Sequence, residues 1–434
     1  MLLHLSAALE RIEALNAYVH GQQLRQFQHD ILTTGAFHLV SPFTGDRLEC
    51  VESRLIAFIN DPYHFELPLY AYRFEDRSDI WVMSFQIGLG FPLCALFIEE
   101  VGGLYVHRAP AAPNSYKVLK RLWREFKTLN AIPSEEAGLA QPLAMIGHPN
   151  FAHYMWNELP ALNAALRDRP VETRSLFAPL GPLEGLPRPA AFKPLKQSGP
   201  PYFTPVGGEF LDQRTQSSLT RQMPTRTVLR SDKASPVIWV AHREDGRSCE
   251  NFLDMLAAFD RQARELCQPR YIFDSFSAPD DLDAPWYDPV RDAFESRRRQ
   301  SETLFQAMSG AVSAPEAVLA TTAGLTVMQA MALAREADYY ISPIGSIQHK
   351  VAWLQPIPGL VHGPSTAMNR HVAQWHGQKS EVALAPTNLP SELIRDTRAS
   401  AHHPSAERNM DYRITDPEAA AAFALAHLRD VLSL

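Results

Sequence analysis

Residues 147–160 are GHPNFAHYMWNELP, a polar stretch between two predicted regular elements, and it decides the fold assignment. The apolar run PLAMI at 142–146 precedes it and predicts a short buried strand. Apolar residues then recur at helical spacing through Leu162, Ala165 and Leu166, which predicts a helix. A strand, a Gly-Pro-Asn turn and a helix place polar groups at the carboxyl edge of a sheet, as α/β enzymes do.

Four polar residues of this stretch are candidates for chemistry. Asn150 can cap the predicted helix, and His153 lies in its first turn. Asn157 is predicted one helical turn further on, on the same face as His153, with Glu158 beside it. A histidine or carboxylate held there can accept a proton as a general base. The alternative is a buried helix start whose histidine is satisfied by structural hydrogen bonds.

The stretch resembles the N-Y/F-x-H-W/F-x-x-D/E-x-L-P segment of family 61 glycosyltransferases and their bacterial capsular-polysaccharide relatives. The matching positions are Asn150, Phe151, His153, Leu159 and Pro160. The family's acidic position is occupied by Asn157, and the carboxylate is displaced to Glu158. The resemblance implies that His153 or Glu158 is the catalytic base.

Two stretches in the second half extend the resemblance. Residues 240–251, VAHREDGRSCEN, are similar to the strand and R-x-x-x-R-x-x-x-N element that begins the family's donor domain. Residues 337–347, ADYYISPIGSI, are similar to the A-D-x-x-I-G-x-H-G-A-G-L element. Ile344 replaces the family's histidine and Ser346 replaces its alanine, so His349 in the following helix is the candidate substitute for that histidine.

The resemblance implies a binding site for the donor diphosphate in the second half. The residues it assigns to this site are Arg243, Arg247, Asn251, Gly345, Ser346, His349 and Lys350. Guanidinium groups suit bidentate phosphate contacts, and a helix start offers backbone N–H groups to an anion. The alternatives are ion pairs of Arg243 and Arg247 with neighbouring carboxylates, and an exposed helix face for His349 and Lys350.

Alternating strand and helix patterns predict an α/β fold with mostly parallel sheets. Two such units separated by a linker favour two facing Rossmann-like domains, the GT-B-like arrangement that the resemblance implies. The predicted parts are an N-terminal helix and β-rich accessory module at 1–112, an acceptor domain at 113–232, a donor domain at 233–415 and a C-terminal helix at 416–434. The C-terminal helix is expected to pack back on the first of the two Rossmann-like domains.

Composition limits the class of protein. The 434 residues are 46% hydrophobic and 21% charged, as in a soluble globular protein of two or three domains. The net charge of -7 argues against a general nucleic-acid binder. The first 20 residues predict an amphipathic helix rather than a signal peptide, and no apolar run is long enough to span a bilayer, although peripheral membrane association stays open. Four scattered cysteines without a C-x-x-C pair indicate reduced thiols and a cytoplasmic location.

Several other chemistries lack their motifs. The chain has no G-x-G-x-x-G, no P-loop and no G-x-S-x-G, which argues against a dehydrogenase, a P-loop NTPase and a serine hydrolase. No H-E-x-x-H occurs, and Asp281-Leu282-Asp283 follows no predicted strand, so we interpret it as solvated rather than as a metal ligand. The resemblance implies transfer without a metal, with the nucleotide sugar as co-substrate and no further cofactor.

The predicted function is therefore a glycosyltransferase, hexosyl or pentosyl, that moves a sugar from a nucleotide-sugar donor to a glycan or protein acceptor. A catalytically inactive glycan- or nucleotide-binding protein of a polysaccharide or glycosylation locus is the alternative. The departures from the family pattern at Asn157 and Ile344 keep this alternative open. The sugar, the nucleotide, the stereochemical outcome and the oligomeric state stay open.

Overall fold

A computed structural model supplies the structure of the chain. It describes residues 4, 5, 7, 8, 38–60, 66–85, 93–106, 143–146, 151–160, 172–175, 180, 202–203, 211–224, 234–243, 246–283, 288, 291–368, 380–399 and 410–434. The chain forms two compact units, one of residues 1–178 and 182–210 and the other of residues 179–181 and 211–434. The helix Gln213–Gln222 thus belongs to the second unit, whereas its sequence position suggested the domain at 113–232.

The first unit contains a six-stranded antiparallel sheet whose strands pair in chain order. The strands are β1 (His38–Val40), β2 (Arg47–Asn60), β3 (Glu66–Phe74), β4 (Ile80–Phe85), β5 (Leu93–Ile98) and β6 (Gly103–Val106). In β3 the side chains of Tyr72 and Phe74 are buried while Arg73 between them is partly exposed, the alternation expected of a sheet with one covered face.

A smaller parallel sheet in the first unit contains the strand predicted before Gly147. Its strands are β7 (Leu143–Ile146), β8 (Glu172–Ser175) and β9 (Tyr202–Phe203), with β7 in the centre. The segment after β7 is helical, first as an α-helix at Phe151–His153 and then as a π-helix at Tyr154–Glu158.

The second unit is built on a six-stranded parallel sheet. Its strands are β10 (Val237–Ala241), β11 (Arg270–Asp274), β12 (Val318–Thr321), β13 (Tyr339–Pro343), β14 (Gly359–His362) and β15 (Thr387–Asn388). They lie in the order β12-β11-β10-β13-β14-β15, which is the 3-2-1-4-5-6 order of Rossmann folds. All five residues of β10 are buried, as expected of a central strand covered by helices on both faces.

Helices of the second unit connect these strands and cover the sheet. Besides Gln213–Gln222, the longer ones are Phe252–Ala263, Arg291–Ala311, Val327–Ala334, Ser346–Ala352 and Pro417–Leu432, and a shorter one is Ser365–Met368. An antiparallel pair, β16 (Ile394–Ala399) and β17 (Met410–Ile414), completes the unit. Within the described ranges, no helix has both the length and the apolar character needed to cross a membrane.

The C-terminal helix Pro417–Leu432 belongs to the second unit. It packs within the second unit, where Glu418 pairs with Arg261 and accepts a 2.9 Å hydrogen bond from Gln262 of the helix Phe252–Ala263. Its buried face is made of small and aliphatic residues, Ala420, Ala421, Ala424 and Leu428, which allow this close helix contact. The helix is thus part of the second unit.

Candidate functional site

The strand order of the second sheet fixes where a ligand is expected. In an open α/β sheet, ligands bind outside the carboxyl ends of the strands where the strand order reverses. Here that point lies between the neighbouring strands β10 and β13. The residues that follow these strands are His242 and Arg243 after β10, and Ile344 and Gly345 after β13.

Two arginines and one glycine meet at this point. A methyl group placed on Gly345 would lie 3.2 Å from Nη2 of Arg247 and 3.4 Å from Nη1 of Arg243. Gly345 has φ 113°, a conformation that favours glycine, and Arg247 has φ 53° in the left-handed region. Ser346 begins the short helix Ser346–Ala352 and is partly exposed, as are both arginines. The structure therefore brings together four of the seven residues predicted to bind the donor.

Lys350 has a different role from the one predicted. Its Nζ donates to Oδ1 of Asp274 at 2.5 Å, to the carbonyl oxygen of Ser275 at 2.7 Å and to Oγ of Ser277 at 3.1 Å. These contacts use all three donors of the ammonium group. The Lys350 side chain is 2% exposed and that of Asp274 0%, so burial lowers the pKa of Lys350 and raises that of Asp274 while their attraction opposes both changes. The predicted phosphate contact is corrected to a structural ion pair.

The side chains of His349 and Asn251 also make contacts within the protein. The His349 ring is buried and lies 4.5 Å from the ring of Trp353, so it does not take the place of the missing histidine at Ile344. The Asn251 side chain donates to the carbonyl oxygen of Ile414 and accepts from its N–H, both at 2.9 Å. Its amide therefore ties the arginine-bearing loop to β17 and does not reach toward a ligand.

A buried aromatic cluster that sequence reasoning missed lies beside the arginines. His242 stacks on Phe252 at 4.9 Å, Phe252 stacks on His362 at 5.2 Å, and Nδ1 of His362 lies 2.6 Å from the hydroxyl of Tyr412. Burial lowers the pKa of His242 to about 4, aided by the charge of Arg243, and that of His362 to about 3. Both rings are therefore neutral at pH 7, and Nδ1 of His362 shares its hydrogen bond with the Tyr412 hydroxyl. The available sequence signal was the position of His362 as the last residue of β14.

The candidate bases of the first unit lie on the mixed α- and π-helical segment. This segment is α-helical at Phe151–His153 and π-helical at Tyr154–Glu158, so its backbone bonds join residue i to residue i+5 over the second part. The Glu158 side chain is fully buried, and burial together with the charge of Glu158 raises the pKa of Tyr154. The side chain of His153, and residues 147–150, lie outside the described residues.

No metal site is evident in the part of the chain that the structure describes, where His, Cys, Asp and Glu side chains form no group suited to a metal ion. Residues 281–283, which contain the D-x-D string, lie in a turn whose Leu282 carbonyl oxygen accepts a 3.0 Å hydrogen bond from Arg291.

Comparison with known proteins gives distant structural similarity. No protein-family model and no curated protein matches the chain. The chain is similar to a structure of the trehalose-6-phosphate synthase OtsA with a TM-score of 0.25 and 10% identity, covering 71% of this chain and 62% of that chain. It is also similar to a structure of an S. aureus TarM variant in complex with fondaparinux, α-GlcNAc-glycerol and UDP, with a TM-score of 0.21 and 7% identity over 98% of this chain and 83% of that chain. At these TM-scores, the assignment of the site rests on its own geometry.

Proposed function

We propose that the protein is a glycosyltransferase that binds a nucleoside-diphosphate sugar at Arg243, Arg247 and Gly345. The observation that carries the proposal is the meeting of two guanidinium groups against a glycine at the strand-order switch of a Rossmann-type sheet. Planar guanidinium groups bind phosphate oxygens in a bidentate manner, and the glycine lets these two groups lie close to the backbone. Together they suit a diphosphate.

Transfer of a sugar is supported by the sequence resemblance of the stretch that contains His153. In an inverting reaction, the acceptor oxygen bonds to the anomeric carbon while the bond from that carbon to the donor phosphate oxygen breaks. The acceptor proton passes to the base, and the electron pair leaves with the nucleoside diphosphate. His153 is the proposed base, because Glu158 is fully buried. Arg243 and Arg247 stabilise the charge on the leaving diphosphate, so the proposed reaction needs no metal.

The proposal is tested by titrating UDP and uridine into wild-type protein and into Arg243→Ala and Arg247→Ala variants by calorimetry. Each lost hydrogen bond to a charged group is worth about 1.5–3 kcal/mol, so UDP affinity should fall about 10- to 100-fold. Uridine affinity should stay unchanged, because uridine lacks the phosphates. Arg299→Ala is the matched control, since Arg299 is an exposed arginine on another helix of the same unit. Equal losses for UDP and uridine would show that the arginines are structural.

A catalytically inactive nucleotide- or glycan-binding protein is the second candidate. It is favoured by Ile344, which occupies the position of the family's histidine, and by the burial of His349 in the core. The two candidates differ in hydrolysis of the donor, because a glycosyltransferase slowly releases nucleotide from its donor in the absence of acceptor. Incubation of the purified protein with UDP-sugars, followed by chromatography for free UDP, distinguishes them. Binding without release supports the inactive protein.

A further inference from the structure

The loop that carries both arginines has an unusual backbone. Gly246 has φ 104° and Arg247 has φ 53°, so the chain passes through two consecutive residues with positive φ. A non-glycine residue in the left-handed region costs free energy and persists only where surrounding contacts impose it. The direction of the Arg247 side chain follows from this backbone conformation. The contacts that hold the turn therefore also aim the guanidinium group.

Those contacts come from β17 and converge on the residue after Arg247. The N–H of Ser248 donates to Oδ1 of Asp411 at 2.9 Å, and the carbonyl oxygen of Ser248 accepts from the N–H of Tyr412 at 3.0 Å. The Ser248 hydroxyl donates to the carbonyl oxygen of Arg243 at 2.9 Å, which closes the loop on itself. The backbone on both sides of the turn is thus fixed, and one side chain of β17 supplies a hydrogen bond directly.

That side chain, Asp411, is held in place from the other side. Its residue is 5% exposed, and its second oxygen accepts a 2.7 Å hydrogen bond from Nε of Arg398 on the paired strand β16. Each carboxylate oxygen thus has a donor. The Arg398 side chain is 74% exposed and that of Asp411 7%, so the carboxylate is buried with one oxygen bonded to the turn and the other to Arg398.

We propose that Asp411 is a positioning residue that holds Arg247 in its left-handed conformation and so directs its guanidinium group to the phosphate site at Gly345. The identity of the ligand rests on the proposed function, whereas the action of Asp411 on Arg247 does not. Asp411 acts through Arg247 and touches no ligand itself.

The test measures pyrophosphate, UDP and uridine affinities by calorimetry for the wild type, Asp411→Ala and Asp411→Asn. Asp411→Ala should lower pyrophosphate and UDP affinity about tenfold, because the left-handed turn loses the hydrogen bond from the Ser248 N–H to Asp411 that supports it. Uridine affinity should not change. Asp411→Asn should restore most of the affinity, since its amide oxygen still accepts from the Ser248 N–H. Arg413→Ala is the control, because Arg413 is an exposed residue of the same strand.

A double-mutant cycle with Arg247→Ala decides whether Asp411 acts through Arg247. In the Arg247→Ala background, Asp411→Ala should have no further effect on pyrophosphate affinity. A full additional tenfold loss in that background would overturn the proposal, as would equal losses for uridine and UDP. If the wild type binds pyrophosphate and UDP with equal affinity, the nucleoside contributes nothing to binding and the proposed function fails. The double-mutant cycle measured with pyrophosphate still tests Asp411 in that case. Absence of both pyrophosphate and UDP binding by the wild type would overturn both.

Discussion

Replacement of Lys350 by methionine tests whether Lys350 forms a structural ion pair with Asp274, as in the structure, or contacts the donor phosphate, as the sequence suggested. Methionine fills similar space but leaves the Asp274 carboxylate buried, with 0% of its side chain exposed and without its ammonium partner. A 2.9 Å hydrogen bond from Thr322 to Oδ1 then remains, and it is not sufficient for a buried charge. Removing one partner of a buried ion pair costs about 3–5 kcal/mol.

The expected loss is large enough to measure by thermal unfolding. A domain of roughly 150–250 residues loses about 2–4 °C in Tm for each kcal/mol, so Lys350→Met should lower the Tm of the second unit by roughly 6–20 °C. Circular dichroism at pH 7 measures this shift. The double variant Lys350→Met with Asp274→Leu should recover most of it, because replacing both charges with apolar side chains removes the unpaired carboxylate.

The same variant is titrated with UDP below its melting temperature. The structure predicts unchanged UDP affinity for the folded protein, because all three Lys350 donors bind protein groups. A normal Tm together with a large loss of UDP affinity would refute this reasoning, and would return Lys350 to the phosphate site.

Two further predictions concern pH and catalysis. Burial lowers the pKa of His242 to about 4, so as the pH falls its imidazole is protonated in the unfolded chain before it is protonated in the folded protein. The free energy of unfolding should therefore decrease as the pH drops from about 6.5 toward 4, by up to about 1.4 kcal/mol per pH unit. His242→Phe keeps the stacking on Phe252 but does not titrate, so its urea midpoint should change less between pH 7, 6 and 5 than that of the wild type. The same change of midpoint with pH in both proteins would contradict this. His153→Ala should abolish sugar transfer with UDP affinity retained, because a base acts mainly in the transition state, while Glu158→Gln should keep transfer. Near-normal turnover of His153→Ala would exclude His153 as the base.

Sequence periodicity predicts strands at Val237, Tyr271, Asp338 and Gly359, all of which the second sheet contains, but it does not predict the two edge strands of that sheet. The apolar runs at Val237–Ala241 and Gly359–His362 are central strands whose residues are all buried, and such runs are easily recognised. The edge strands escaped because they carry little pattern: β12 is partly exposed at every residue, and β15 has two residues. The order of the strands in the sheet could not be predicted from the sequence either, because strand pairing is decided by contacts between distant segments.

Side-chain roles were hardest to predict where a charged residue finds its partner far along the chain. Lys350 follows a strand and a glycine, which suggested a phosphate ligand, but its partner Asp274 lies 76 residues away at the end of β11. The helix Ser346–Ala352 has six buried residues of seven, including His349 and Lys350, so its polar sequence does not mark an exposed face. Charge in a sequence indicates exposure only when no buried counter-charge is available.

The assignment of the arginine site has two independent bases. The first is the spacing of Arg243 and Arg247 after a strand, which is local sequence information. The second is the pairing of that strand with β13 in the sheet. This pairing joins distant parts of the chain, and with another strand order Gly345 would lie elsewhere along the sheet edge. Because β10 and β13 are neighbours, the loop after one strand reaches the glycine after the other, and the arginines meet Gly345 where the strand order reverses. The positive-φ turn, the glycine contact and this position in the sheet together support the proposed phosphate site.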